Sequence, residues 1–426
     1  MKSKDPDADQ NGRLSASSVP NNSSLFQAVS RKEGKYVKNP DPKADETVKR
    51  LLDYLEPRID LKHVGQVSAR HRAALRYERV DRLPVVCYVP YEGELFVPYP
   101  YPEAFADPAK MMVNELLIGF TSIYHAVDLK DDSPYTLRPN LGVGIVASMF
   151  GAEIRLVGNE MPWVMPLAGG LKGLRRAVLD AQPDTHAGLI PRALDQYGYF
   201  KKVLEDYPNC RAGLQIILPD LQGPFSTLEM LWGTGIYETI YDNPEEIMAL
   251  LDRVTEAMLI AYERLKPEVR DNIGPDCHYC HAMGFKGRYL IRNDSSINIS
   301  PEQYRQILRP SDTRLIARIG SVGIHFCGNG QHQVENFLHI PGVDCLDLGN
   351  PELMNLDWLY QRASRQEVPL VGLAVPETEF TADQVIRRFP SGVICVYQPK
   401  TLTEARAFVR RYDGEKSQRN DNELKL

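Results

Sequence analysis

No apolar run in this 426-residue chain approaches the roughly 18–20 residues needed to cross a bilayer, and no apolar signal core opens it. The expected location is the cytoplasm. A dense Lys/Arg block is also missing, and the formal net charge of −6 offers no footprint for a phosphate backbone, so nucleic acid is not an expected partner. Cysteine is scarce: seven residues, an odd number, do not make a disulfide framework over such a length, and in a reducing compartment they stay available as thiolates. Gly/Ser linkers and internal repeats are lacking too, which argues for one large domain.

What is present is 43% hydrophobic residues, enough to bury a large core and compatible with an enzyme acting on small molecules. Positions 1–42 are too polar to offset their ordering cost and read as a disordered tail; positions 413–426 read as a charged C-terminal tail, leaving 43–412 as the domain. Within it, short β-rich runs alternate with helical ones, the signature of βα units. The strands predicted are Leu83 to Val89, Val143 to Ser148, Gly213 to Leu218, one within Gly284 to Ile291, Val322 to Phe326, Val343 to Leu348, Leu370 to Ala374 and Val393 to Tyr397. Eight strands suggest an α/β fold of the single (β/α)8 TIM-barrel type, although Gly142 to Pro166 also reads as a hairpin. Two helices are well marked. Asn243 precedes Pro244 and a helical-period series from Ile247 to Leu265, and Ser300-Pro301-Glu302-Gln303 is a capping box leading into Tyr304, Ile307 and Leu308.

The chemistry-bearing feature is Ile324-His325-Phe326-Cys327-Gly328-Asn329. Two positions apart, His325 and Cys327 share a face of a strand, and with Cys395, a second thiol in a similar run, they form an N/S set suited to zinc. Three protein ligands leave a position for substrate at the C-terminal ends of barrel strands. The plain alternative is a hydrogen-bonded core histidine beside two inert thiols. Asn293 and Asp294 can present oxygens at the barrel mouth and supply a fourth metal ligand, or simply bond turn backbone. Asp220 can bind substrate or cap the next turn, and Asn329 can orient a ligand or belong to a Gly-Asn-Gly turn. Cys277-His278-Tyr279-Cys280-His281 matches a haem-attachment spacing without its context; an auxiliary zinc site is the other reading of Cys277 and Cys280.

These residues resemble the uroporphyrinogen decarboxylase superfamily and, within it, the zinc-dependent corrinoid methyltransferases. The similarity runs through Arg70-His71-Arg72-Ala73-Ala74-Leu75 and Asp81-Arg82-Leu83-Pro84-Val85, Asp220-Leu221-Gln222-Gly223-Pro224-Phe225, Tyr241-Asp242-Asn243-Pro244-Glu245, and Ser300-Pro301-Glu302 with Pro310. His325-x-Cys327, followed 395 − 327 = 68 positions later by Cys395 and then Thr401-Leu402-Thr403-Glu404, is similar to the methyltransferase pattern. The tetrapyrrole decarboxylases carry an early Arg-rich motif, whereas this chain has the acidic Pro90-Tyr91-Glu92-Gly93-Glu94. The resemblance implies zinc held by His325, Cys327 and Cys395, and methyl transfer to or from a corrinoid (cobalamin) carried by a partner protein or used as co-substrate. The small-molecule methyl donor or thiol acceptor and the direction of transfer stay open. A decarboxylase of a tetrapyrrole or small acid, and a non-catalytic corrinoid- or metal-binding barrel, are the alternatives.

Overall fold

The computed structural model describes residues 26–29, 40–184, 186, 188–374 and 381–423. It is a mixed α/β structure whose centre is a parallel sheet of six strands. Their spatial order is Val85–Cys87, Val393–Tyr397, Leu370–Ala374, Val343–Leu348, Val322–Phe326 and Leu290–Arg292. A separate parallel pair joins Thr136–Leu137 to Gln215–Ile216. No helix of the described residues is long and apolar enough to cross a membrane.

The four C-terminal strands coincide with the apolar runs that predict them, because both faces of a covered parallel sheet demand continuous Val, Ile and Leu. Val143 to Ser148, expected as a strand, is instead helical over Ile145–Met149, and all five of these residues are buried. An apolar run buried on every side has no period to separate helix from strand. The hairpin alternative holds for the rest of that stretch, with Glu153–Val157 antiparallel to Trp163–Met165. The run from 284 to 291 divides at Gly287, whose φ of 100° breaks it between Met283–Lys286, one arm of a hairpin with Cys277–Cys280, and Leu290–Arg292.

Both well-marked helices form. Pro244–Leu265 buries Ile247, Leu250, Leu251, Val254, Met258, Ala261 and Leu265 on one side. The Ser300 side chain accepts from the Gln303 amide, opening the helical run that continues to Ile319. Of the segment 1–42, Phe26–Val29 pairs antiparallel with Glu153–Val157, while positions 1–25 and 30–39 lie outside the described residues. The expected tail from 413 is the continuation of helix Leu402–Glu423, with 424–426 outside the described residues.

Strand alternation sorts side chains into two layers. Ile394 and Val396 pack with Val86, Cys345, Val371 and the hairpin residues Tyr279, Met283 and Phe285. Val393, Cys395 and Tyr397 belong to the larger layer, together with Ile324, Phe326, Phe408 and Tyr412. His325 alternates with Ile324 and Phe326 and therefore faces away from the layer that contains Cys395.

Candidate metal centre

Parallel register brings the polar residues of three adjacent strands into one row: Arg292 is the partner of His325, and His325 is the partner of Asp347. His325 Nδ1 lies 2.7 Å from Asp347 Oδ2. A carboxylate only accepts, so the proton sits on Nδ1 and the other ring nitrogen is directed elsewhere. His325 Nε2 stands 3.3 Å from Cys327 Sγ and 3.5 Å from Asp294 Oδ1. Asp294 is fixed in turn, because Oδ1 accepts the Cys327 amide at 2.9 Å and Oδ2 accepts Gln222 Nε2 at 3.1 Å. Cys327 is exposed while His325 and Asp347 are buried, so the group opens to solvent through its thiol.

Three groups of donors among the described residues converge closely enough for an ion: Asp220, Cys280 and His281; His281, His325 and Asp347; Asp294, His325 and Cys327. The first already encloses a cation, because Arg292 Nη2 donates to Asp220 Oδ1 and lies 3.2 Å from Cys280 Sγ and 2.7 Å from His281 Nε2. In the second, Asp347 receives both imidazoles, His281 Nδ1 at 3.3 Å and His325 Nδ1 at 2.7 Å. Only the third brings an imidazole nitrogen, a thiol and a carboxylate oxygen together with no cation already among them. Neighbouring donors around a tetrahedral zinc stand about 3.3–3.8 Å apart for bonds of ~2.0–2.3 Å. The His325–Cys327 and His325–Asp294 separations, 3.3 and 3.5 Å, fit that spacing. The Asp347–His325 pair has the arrangement of the outer hydrogen bond that orients metal-binding imidazoles.

The structure does not bring the expected third ligand to this group. Cys395 is fully buried in the opposite layer beside Tyr412, belongs to none of the three groups, and has its thiol pushed up to about 12 by burial. It occupies the middle of its strand, paired with Leu373 and Val85, and its odd alternation turns it outward. Asp294 stands in the group instead. Asn293 is not at a mouth: its side chain donates to buried Asp312 at 2.8 Å. Asn329 accepts the Gln331 amide at 3.3 Å, which is turn chemistry. Asp220 is neither a cap nor exposed. It sits buried between Arg138 and Arg292, whose charges offset burial and hold its carboxyl well below the usual range. Cys277 and Cys280 lie three positions apart on one strand, on opposite faces, and no group joins them among the described residues. Asp347 and Arg292 escaped the sequence reading, and His281 entered it only within the Cys277–His281 motif. A carboxylate inside the apolar run Val343-Asp344-Cys345-Leu346-Asp347-Leu348 was the available signal for the first.

Burial alone would lower the His325 imidazole, but the Asp347 charge and hydrogen bond overcome it and raise it to about 10 from an ordinary 6.5. In the metal-free protein a group raised on folding contributes stability fully present below about pH 6.5 and lost as pH rises through about 10. Zinc needs the unprotonated Nε2, so its apparent affinity should rise over the same interval, by roughly tenfold per pH unit for each proton released. Chelator competition and urea unfolding between pH 7 and 9 measure the two opposed trends, and an affinity flat with pH contradicts the role assigned to His325.

Glycine is required beside the thiol. A Cβ at Gly349 would lie 2.9 Å from Cys327 Sγ and 3.0 Å from Phe326 O. Gly349→Ala is therefore expected to displace Cys327 and weaken zinc by at least about tenfold, some 1.4 kcal/mol. Gly65→Ala, in helix Leu61–Leu75 with nothing within 4 Å of the new Cβ, should leave zinc unaffected. Equal zinc affinity in both variants would remove the claim.

No protein-family model matches the chain, and no curated protein matches it.

Proposed function

We propose that this protein is a zinc-dependent methyltransferase that moves a methyl group between a corrinoid on a partner protein and a small-molecule donor or thiol acceptor. The observation that carries the proposal is the open Asp294–His325–Cys327 group, with His325 oriented from behind by Asp347. A bound zinc ion would supply Lewis acidity and hold a thiol as thiolate, the two ways of readying a methyl donor or acceptor. The chain's own residues do the rest. Asp347 keeps the His325 proton on Nδ1, the Asp294 carboxylate is fixed by Gln222 and the Cys327 amide, and exposed Cys327 leaves the outer side free for substrate.

We further propose that the six-stranded sheet and the separate pair close into one eight-stranded barrel in a cytoplasmic enzyme. Support comes from bonds beyond the sheets themselves. The Asp132 amide donates to Val85 O on one edge, and the Gly223 amide donates to Arg292 O on the other, where Gln222 bridges Arg292 in parallel. The strand termini bearing Asp294 and Cys327 would then sit at the catalytic end of such a barrel. The decarboxylase alternative is disfavoured because Arg138 and Arg292, the buried cations behind the site, are both engaged by Asp220 and are not free for substrate carboxylates.

The test follows cob(I)alamin to methylcobalamin by absorbance, anaerobically, with methoxylated aromatics, methylamines and methanol as donors. Methyl transfer that is lost with zinc and restored by it supports the proposal. Full activity in metal-free protein, or CO2 release from uroporphyrinogen, would overturn it.

A further inference from the structure

We propose that His281, at the tip of the hairpin Cys277–Cys280/Met283–Lys286, is a positioning residue that fixes the ring and tautomer of His325 through their shared acceptor, Asp347. The inference rests on the metal site proposed above for its purpose, but not for its geometry.

Two independent observations meet at His281. The first is the backbone. The hairpin is closed by only two residues, His281 and Ala282, with φ of 47° and 53°, between the paired Cys280 and Met283. A two-residue turn with both residues left-handed is the place for Asn-Gly; His tolerates that region better than most residues, but Ala in the glycine position is unsuited to it. A local rule broken in this way marks a turn with work beyond closing the hairpin. The Tyr88 hydroxyl fastens the strained tip by donating to His281 O at 2.9 Å.

The second is the direction of the protons. A guanidinium has donors only, so Arg292 Nη2, 2.7 Å away, makes His281 Nε2 the acceptor and leaves the proton on Nδ1. That Nδ1 faces Asp347 Oδ2 at 3.3 Å, the same oxygen that His325 Nδ1 approaches at 2.7 Å. The order runs from Arg292 to His281 to Asp347, with His325 donating from the far side. The two imidazoles stand edge to face at 5.5 Å, and Phe120 packs against His281 at 4.6 Å. Removing the His281 N–H would leave Asp347 held from one side only and let the His325 ring turn from Cys327 and Asp294.

Two variants separate positioning from packing. His281→Asn puts an amide N–H where Nδ1 was and suits the left-handed backbone; His281→Gly suits the backbone and removes the donor. Zinc affinity by chelator competition and the Co(II) visible spectrum are the metal readouts. The 15N histidine spectrum of the metal-free protein reports on His325 Nδ1 without any metal. His281→Gly is expected to weaken zinc by about 10–100-fold and move the His325 resonance, with His281→Asn close to the unaltered chain. Unchanged affinity and spectra in His281→Gly would overturn the inference, as would equal losses in both variants. If the unaltered chain binds no zinc yet the His325 resonance still moves in His281→Gly and not in His281→Asn, the positioning role stands and the metal reading falls.

Discussion

Cys327→Ala is expected to weaken zinc binding by about 100-fold in a folded protein, whereas Cys395→Ala should bind zinc as the unaltered chain does. Structural zinc in small domains is worth about 10–16 kcal/mol, so each of four ligands carries roughly 3 kcal/mol, on the order of 100-fold in affinity. Cys327 supplies the only sulfur of the Asp294–His325–Cys327 group, and its loss leaves two donors on neighbouring strand ends. The fold should survive because the side chain is exposed and fills no core position. Cys395 is the reverse case, buried and packed in the outer layer. Its truncation should cost about 1 kcal/mol of stability, the order of one buried methylene, with zinc content unchanged. Metal analysis of the two purified variants decides the matter, and zinc lost from Cys395→Ala but kept by Cys327→Ala contradicts the assignment.

Asp347→Ala should be the most destabilising single change in the site, at about 3–5 kcal/mol, the usual result of leaving buried charge without its partner. Asp347 is 2% exposed and receives both His325 and His281. The His325 charge and the hydrogen bonds from both imidazoles outweigh burial and hold its carboxyl well below the ordinary range. A folded-state value below the unfolded one contributes stability present at neutral pH and lost only in strong acid. Asp344→Ala in the same strand is the control: Asp344 is half-buried and accepts from Ser321 Oγ, so its loss should cost about 1 kcal/mol. Urea unfolding at neutral pH measures both, and a difference under 1 kcal/mol between them would contradict the central place given to Asp347.

Much of the fold was legible because a covered parallel strand has to be apolar throughout, and Val322–Phe326 through Val393–Tyr397 are written that way. Ile145–Met149 failed for the same reason: five buried apolar residues carry no period of their own. At the site, the spacing of His325 and Cys327 was enough to bring Nε2 and Sγ together. Cys395 stands apart because a run of apolar residues does not say which of its two faces is inside, and one step of alternation sets it on the opposite face from His325. Asp347, Arg292 and His281 depend on register between strands distant in sequence and on a hairpin turning back among them, neither of which spacing along one strand can reveal.

The central claim is a site with one sulfur. X-ray absorption at the zinc edge of the zinc-loaded, unaltered protein counts the sulfur ligands directly. A single sulfur at ~2.3 Å, the remaining ligands being nitrogen or oxygen at ~2.0–2.2 Å, is the predicted result. Two sulfurs would return Cys395 to the metal and contradict the ligand set Asp294, His325 and Cys327.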